Sequence, residues 1–227
     1  MQKVPVANVI ETETERGKVK MKDKNIKAAL FDLGNVLIRF DVDVLVKGFS
    51  LHTKIKNPDF FGYVMDSYNM NKYMAGKLTS SKFYTRTKKL FKLDISYGDF
   101  YRVWNSIFSP NTEVEDIVRA IKTKYPEVRL ILVSNTNEAH YTFLEKEYDI
   151  LGLFDEIVLS HEVGCQKPDP AIFTKALSAA GSISKETFYT DDRLDLIEAA
   201  RVMGMRAYQF TTHDKLISDL AKVNIIV

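Results

Sequence analysis

The chain has 227 residues, 45% of them hydrophobic, which is enough for one large core or for a core carrying a sizeable insertion. Its 32 basic and 30 acidic residues leave a net charge of +2 with no long block of one sign, which speaks against a nucleic-acid partner. The one cysteine, Cys165, excludes an intrachain disulfide and a paired-thiol metal site, and it reads as a small buried hydrophobe.

Residues 1–24 are polar and aperiodic, and they read as an N-terminal tail, with Met21 as a second candidate start. The mildly apolar piece at 4–10 is neither a signal-peptide core nor a membrane span, so a cytoplasmic location without membrane attachment is expected. The stretch 28–40, AALFDLGNVLIRF, opens the fold. Its apolar run predicts a strand buried on both faces that delivers Asp32 to the strand's carboxyl end, before a tight turn at Gly34 and Asn35. From 41 to 110 the pattern turns helical and aromatic, with 14 of the chain's 26 aromatic residues; Phe60, Phe61, Val64, Met65 and Tyr68 share a helical spacing. Thr79 to Ser81 offer caps for a helix through Phe83 and Leu90. This segment is predicted to be a helical cap, with Trp104 in its core.

From 111 onward, helices and strands alternate. Strands are expected at 128–133, 156–159, 187–190 and 206–210; helices are expected after 111, at 138–148, 171–179 and 194–203, and from about 214. The segment 161–170, HEVGCQKPDP, reads as a loop. Such alternation predicts an α/β fold, a doubly wound parallel sheet. The domain reading is therefore a core of 25–40 and 111–227 with an inserted cap at 41–110.

In a parallel sheet with right-handed connections all strand ends lie on one edge. That edge would gather Asp32, Ser134, Asn135, Asp191 and Asp192, with Lys167 in a neighbouring loop. Converging carboxylates repel unless a cation sits among them, and hard oxygen ligands suit magnesium. A hydroxyl, backbone amides and an ammonium group suit the oxygens of a phosphoryl group, so phosphoryl transfer is the chemistry these residues could share. Taken singly, each has a plainer reading: Asp32 as a turn former, Ser134 as a helix cap, Lys167 as a solvated charge, Asp191 and Asp192 as a capping pair. The four histidines, His52, His140, His161 and His213, lack metal-ligand spacing and read as surface or packing residues, though His140 is near enough to Ser134 to line a pocket.

The motifs LFDLGNVL, LVSNT, the Lys167-Pro168 pair and FYTDD, in this order, resemble the haloacid dehalogenase (HAD) superfamily of hydrolases. The resemblance covers residues 26–227 and implies a HAD-like Rossmann-type core with an inserted helical cap. It implies a magnesium-dependent phosphatase that hydrolyses a small-molecule phosphate ester through an aspartyl-phosphate. Asp32 would be the nucleophile, paired with Lys167. Magnesium would be held by Asp32, the Gly34 carbonyl and Asp192, with Asp191 assisting directly or through water. Ser134, the Asn135 amide and Lys167 would bind the phosphate. The sub-branch it most resembles contains bacterial glucose-1-phosphate phosphatases and the N-terminal phosphatase domain of epoxide hydrolases, which makes a sugar phosphate a candidate substrate; the oligomeric state is not fixed by the sequence, with a monomer favoured. One departure stands out: related phosphatases carry an acid two residues after the nucleophile, where this chain has Gly34. Its loss should favour good leaving groups. The alternatives are a 2-haloacid dehalogenase, whose branch lacks the acidic pair seen here at Asp191 and Asp192, and a catalytically weak binding protein of the same fold.

Overall fold

The computed structural model describes residues 26–227, so the predicted tail at 1–24 lies outside the described residues. Strand β1 (Ala28–Phe31) leads through a folded loop to the short β2 (Ile38–Phe40). Five helices follow: α1 (Val42–Ser50), α2 (Phe60–Asp66), α3 (Tyr68–Met74), α4 (Ser80–Phe91) and α5 (Tyr97–Asn105). The chain returns through β3 (Phe108–Pro110) to α6 (Thr112–Lys124), β4 (Arg129–Ser134), α7 (Glu138–Glu147) and β5 (Glu156–Leu159). Next come α8 (Ser160–Val163), α9 (Pro170–Ala180), β6 (Thr187–Asp191) and α10 (Leu194–Val202). Strand β7 (Arg206–Gln209) and α11 (His213–Ala221) follow.

The main sheet is parallel, in the order β5-β4-β1-β6-β7, with helices on both faces. Period-two alternation assigns each strand residue a face. Ala29, Phe31, Leu130 and Leu132 pack with Val114, Ile117 and Ile121 of α6 and with Leu216 and Leu220 of α11. On the other face, Ala28, Leu30, Ile131 and Val133 meet Ile172, Phe173 and Ala176 of α9 and Ile197 and Ala200 of α10. This is the predicted doubly wound architecture. β1 is fully buried because it is central and covered twice, as its unbroken apolar run foretold.

Helices α1 to α5 enclose a separate aromatic core of Phe49, Phe60, Tyr73, Phe83, Phe100 and Trp104, all buried. Tyr73 stacks on Phe83 at 4.4 Å between ring centroids, and Phe83 meets Trp104 edge-on at 4.9 Å. The spacing from Phe60 to Tyr68 yields two helices rather than one, because Ser67 is extended and its side chain caps α3 through the Met70 amide. Thr79 caps α4 through the Lys82 amide, as expected.

Two corrections to the sequence reading concern short elements. β2 and β3 form an antiparallel ladder, Ile38 opposite Pro110 and Phe40 opposite Phe108, where the chain leaves the sheet for the helices and where it comes back. Segment 161–170 is not all loop: His161 to Val163 belong to the single helical turn α8, ended by Gly164 at φ +85°. Cys165 is half-buried rather than buried, at the margin of the α9 face. Among the described residues no helix is long and apolar enough to cross a membrane.

Candidate active site at the carboxyl edge of the sheet

Asp32 is the first residue beyond β1, and its amide donates to the Thr190 carbonyl at 3.0 Å, extending the β1–β6 ladder by one step. Ser134 ends β4, Asp191 ends β6, and Asp192 follows at once. The sheet therefore delivers these four residues to one edge, as the sequence order implied. Lys167 reaches the same point from the segment after α8. Its Nζ donates to Asp32 Oδ1 at 2.6 Å, to Asp191 Oδ2 at 2.6 Å and to the Val133 carbonyl at 3.0 Å. All three donor positions are engaged, and the ammonium is buried.

The loop carrying Lys167 is pinned by Asn135. The Lys167 amide donates to Asn135 Oδ1 at 2.7 Å, and Asn135 Nδ2 donates to the Lys167 carbonyl at 2.9 Å. The motif pointed to Asn135 for its backbone amide; its side chain has the separate role of fixing Lys167. Asn35 plays a similar part that the sequence did not signal. With φ at +55° it makes the left-handed step of the turn, and its Nδ2 donates to Asp192 Oδ2 at 3.1 Å. Asp191 also accepts from the Tyr189 hydroxyl and, at 2.9 Å, from the Arg193 amide.

Electrostatics follow from this crowding. Burial, the largest effect, and the nearby Asp191 push the Asp32 carboxyl up to about 7, although Lys167 opposes both. Asp192 is also raised, chiefly by burial, with Asn35 opposing. Burial works against the Lys167 charge, but Asp32 and Asp191 outweigh it and hold its pKa above the ordinary lysine value. Three carboxylates thus face one ammonium, a deficit of two positive charges. Asp32, Asp191 and Asp192 each offer an oxygen within 4.8 Å of the others. A hard, doubly charged cation fits this donor set in both charge and ligand type, and it would draw the Asp32 carboxyl back to its ionised form.

Helices α1 to α5 meet the core beside this edge. Ser160 Oγ donates to the Met74 carbonyl at 2.6 Å, and Gln166 Nε2 donates to the Asn71 carbonyl at 3.0 Å. Gly76 is needed at this joint: its φ is +65°, and a Cβ there would lie 1.9 Å from the His161 carbonyl oxygen. His140 lies buried in the joint rather than in the carboxylate cluster. It stacks on Trp104 at 5.0 Å, donates from Nε2 to the Trp104 carbonyl at 3.2 Å and accepts from Asn137 Nδ2 at 3.1 Å. Burial lowers its pKa to about 3, so it is a neutral packing residue. His161 bonds the Thr136 carbonyl, and Trp104 is fully buried. A cavity of about 620 Å³ opens along the joint, bordered by Tyr73, Glu138, Tyr141, Glu145 and Glu162. No member of the carboxylate cluster lines it, and its three glutamates would repel a phosphate, so it is not the phosphate site.

The family model for haloacid dehalogenase-like hydrolases matches residues 30–210. The chain belongs to this family. As a haloacid dehalogenase-like hydrolase it resembles the D-ribitol-5-phosphate phosphatase of Bacteroides thetaiotaomicron, 24% identical over 198 residues that cover 81% of this chain and 91% of that protein. It is also 24% identical over 200 residues to the drimenol cyclase of Aspergillus calidoustus; the match covers 87% of this chain but spans only 36% of that longer protein. Among solved structures, a wild-type HAD family enzyme of Bacteroides thetaiotaomicron in complex with magnesium and inorganic phosphate superimposes with a TM-score of 0.73. Its sequence is 25% identical, with 82% of this chain and 94% of that chain covered.

Proposed function

We propose that this hydrolase is a magnesium-dependent phosphatase acting on a small phosphate ester, with residues 41–110 serving as a cap over the site. The observation that carries the reading is the cluster of the buried Asp32 and Asp191 and the half-buried Asp192 against the ammonium of Lys167. The phosphatase relative and the magnesium and phosphate complex of the similar structure support it.

In this mechanism Asp32 attacks phosphorus and forms an aspartyl-phosphate, which water then hydrolyses. Lys167 neutralises the nucleophile before attack and the phosphoryl oxygens during it. Ser134, with the Asn135 amide, lies at the end of β4, where an equatorial oxygen would be held. Magnesium, held by Asp32, the Gly34 carbonyl and Asp192 with Asp191 assisting, would supply the positive charge that the transferring group needs. The cap would exclude water from the transfer step, and its residues 60–85 would select the substrate. A 2-haloacid dehalogenase has little use for this acidic cluster, and a mere binding protein has little use for a lysine fixed by three hydrogen bonds against a carboxylate.

The test is phosphate release from a panel of esters, sugar 1-phosphates and 6-phosphates included, with and without magnesium. The expected result is release that a chelator abolishes and that Asp32→Asn lowers by about 10⁵-fold while the fold persists. Undiminished release from Asp32→Asn would overturn the mechanism.

A further inference from the structure

Position 35 meets two demands at once. Its backbone sits at φ +55°, in the left-handed region that glycine, asparagine and aspartate enter most readily. Its side chain is half-buried beside the carboxylate cluster, with Nδ2 3.1 Å from Asp192 Oδ2. Glycine would satisfy the backbone but offers no donor, and aspartate would set one more negative charge against Asp192. Asparagine satisfies both. Its amide has to face Asp192 with the nitrogen, since the oxygen would repel the carboxylate.

The turn itself does not depend on that side chain. The Asn35 amide donates to the Ile38 carbonyl at 2.8 Å, and the Leu37 and Ile38 amides donate to the Leu33 carbonyl at 3.0 and 2.9 Å. Asn111 Nδ2 secures the same loop through the Val36 carbonyl at 2.7 Å. The bond to Asp192 is therefore added to a loop already held, and it ties that loop to the end of β6. Lys167 does not hold Asp192, because its three donor positions go to Asp32, Asp191 and the Val133 carbonyl. Gln209 Nε2 reaches Asp192 at 2.8 Å, but on the main-chain carbonyl. Asp32 and Asp191 are thus held by an ammonium, and the Asp192 carboxylate by a neutral amide.

We infer that Asn35 is a positioning residue for the cation site: its side-chain amide fixes the Asp192 carboxylate against the other two and so sets how tightly and how selectively the site takes magnesium. This inference rests on the magnesium reading above. Asp192 offers an oxygen within 4.8 Å of ligand atoms of Asp32 and Asp191, two carboxylates that repel it. Without the amide, its side chain is free to swing away from them. Magnesium demands near-ideal octahedral placement of its ligands, whereas calcium accepts more variable placement. Loss of the amide should therefore weaken magnesium more than calcium.

The experiment measures the dissociation constants of magnesium and calcium by calorimetry on the full chain, without substrate, for wild type, Asn35→Gly and Asn35→Ala. Both variants lack the amide, but only alanine strains the left-handed backbone, so melting temperature reports the backbone and cation binding reports the side chain. Both should bind magnesium about 10- to 100-fold more weakly, the usual cost of removing the partner of a metal ligand, with a smaller loss for calcium. Asn35→Ala should melt below Asn35→Gly. In phosphate release from 4-nitrophenyl phosphate, raising magnesium should recover most of the rate that either variant loses when magnesium is limiting. Unchanged magnesium affinity in Asn35→Gly, or equal losses for the two cations, would overturn the inference and leave the phosphatase reading standing. A loss confined to Asn35→Ala would overturn it too, because backbone strain and not the amide would then set the affinity. No magnesium binding by the wild-type chain would instead remove the magnesium reading itself, and this inference with it.

Discussion

The carboxyl edge of the sheet and the aromatic core of α1 to α5 fix their side chains by opposite means. At the edge, Asp32, Lys167 and Asp191 arrive from separate segments and are held by directional, charge-assisted bonds as short as 2.6 Å. In the helical core, Phe49, Phe83, Phe100 and Trp104 arrive from one stretch of chain and are held by packing, with Phe49 and Phe100 centroids at 4.8 Å. Charge networks admit one geometry, because an unmatched buried charge is costly. Apolar packing tolerates exchange of similar volumes at modest cost. The candidate site thus lies in the part that admits little change, and the aromatic helices beside it form the part that admits more.

Three substitutions would break or sharpen this contrast. The largest effect belongs to Lys167→Met, which should lower kcat/KM about 10³-fold and also cost about 3 kcal/mol of stability, since two buried carboxylates lose their counter-charge. Next, Trp104→Ala should cost about 3–5 kcal/mol in denaturant unfolding, yet change kcat at saturating substrate by less than about tenfold. A loss of kcat matching that of Lys167→Met would show that the two regions are not separable. Among the described residues the indole Nε1 has no hydrogen-bond partner, so the loss should come from packing.

The smallest effect concerns pH. His140 is held neutral down to about pH 3 in the folded protein, whereas in the unfolded chain it takes up a proton near its ordinary value of 6.5. Below 6.5 the unfolded state therefore binds more protons, and stability falls as pH falls. Between pH 7 and pH 5 this one residue should remove about 2 kcal/mol, and His140→Gln should flatten that limb of the unfolding profile. An unchanged slope in the variant would show that His140 is solvated and that the joint is looser than its stacking on Trp104 implies.

Much of this was legible in the sequence, for identifiable reasons. An apolar run that ends in Asp32, Ser134 or Asp191 announces both a buried strand and the edge at which it stops. The remainder had no local signal. Three-residue strands such as β2 and β3 have too few residues to show a period, so their ladder was invisible. Asn35 and Asn135 look like turn formers, and their bonds to Asp192 and Lys167 span 157 and 32 positions. Asn111 likewise ties the returning chain to the first loop through the Val36 carbonyl, 75 positions away. Phe40 reads as one more aromatic until its ring is seen beside Gly34.

The sheet order also dictates when the enzyme can take shape during synthesis. β1 is made first among the described strands but lies in the middle, flanked by β4 and β6, with Ala28 opposite Arg129 and Thr187. Ribosomes add roughly 5–20 residues per second, so the central strand waits several seconds for its neighbours. The aromatic helices between β2 and β3 draw on contacts within one contiguous stretch and can condense during that interval. Asp32 is thus the first of the candidate site residues to be synthesised, yet its surroundings arrive last: Lys167 follows 135 positions later, and Asp191 another 24 positions after that.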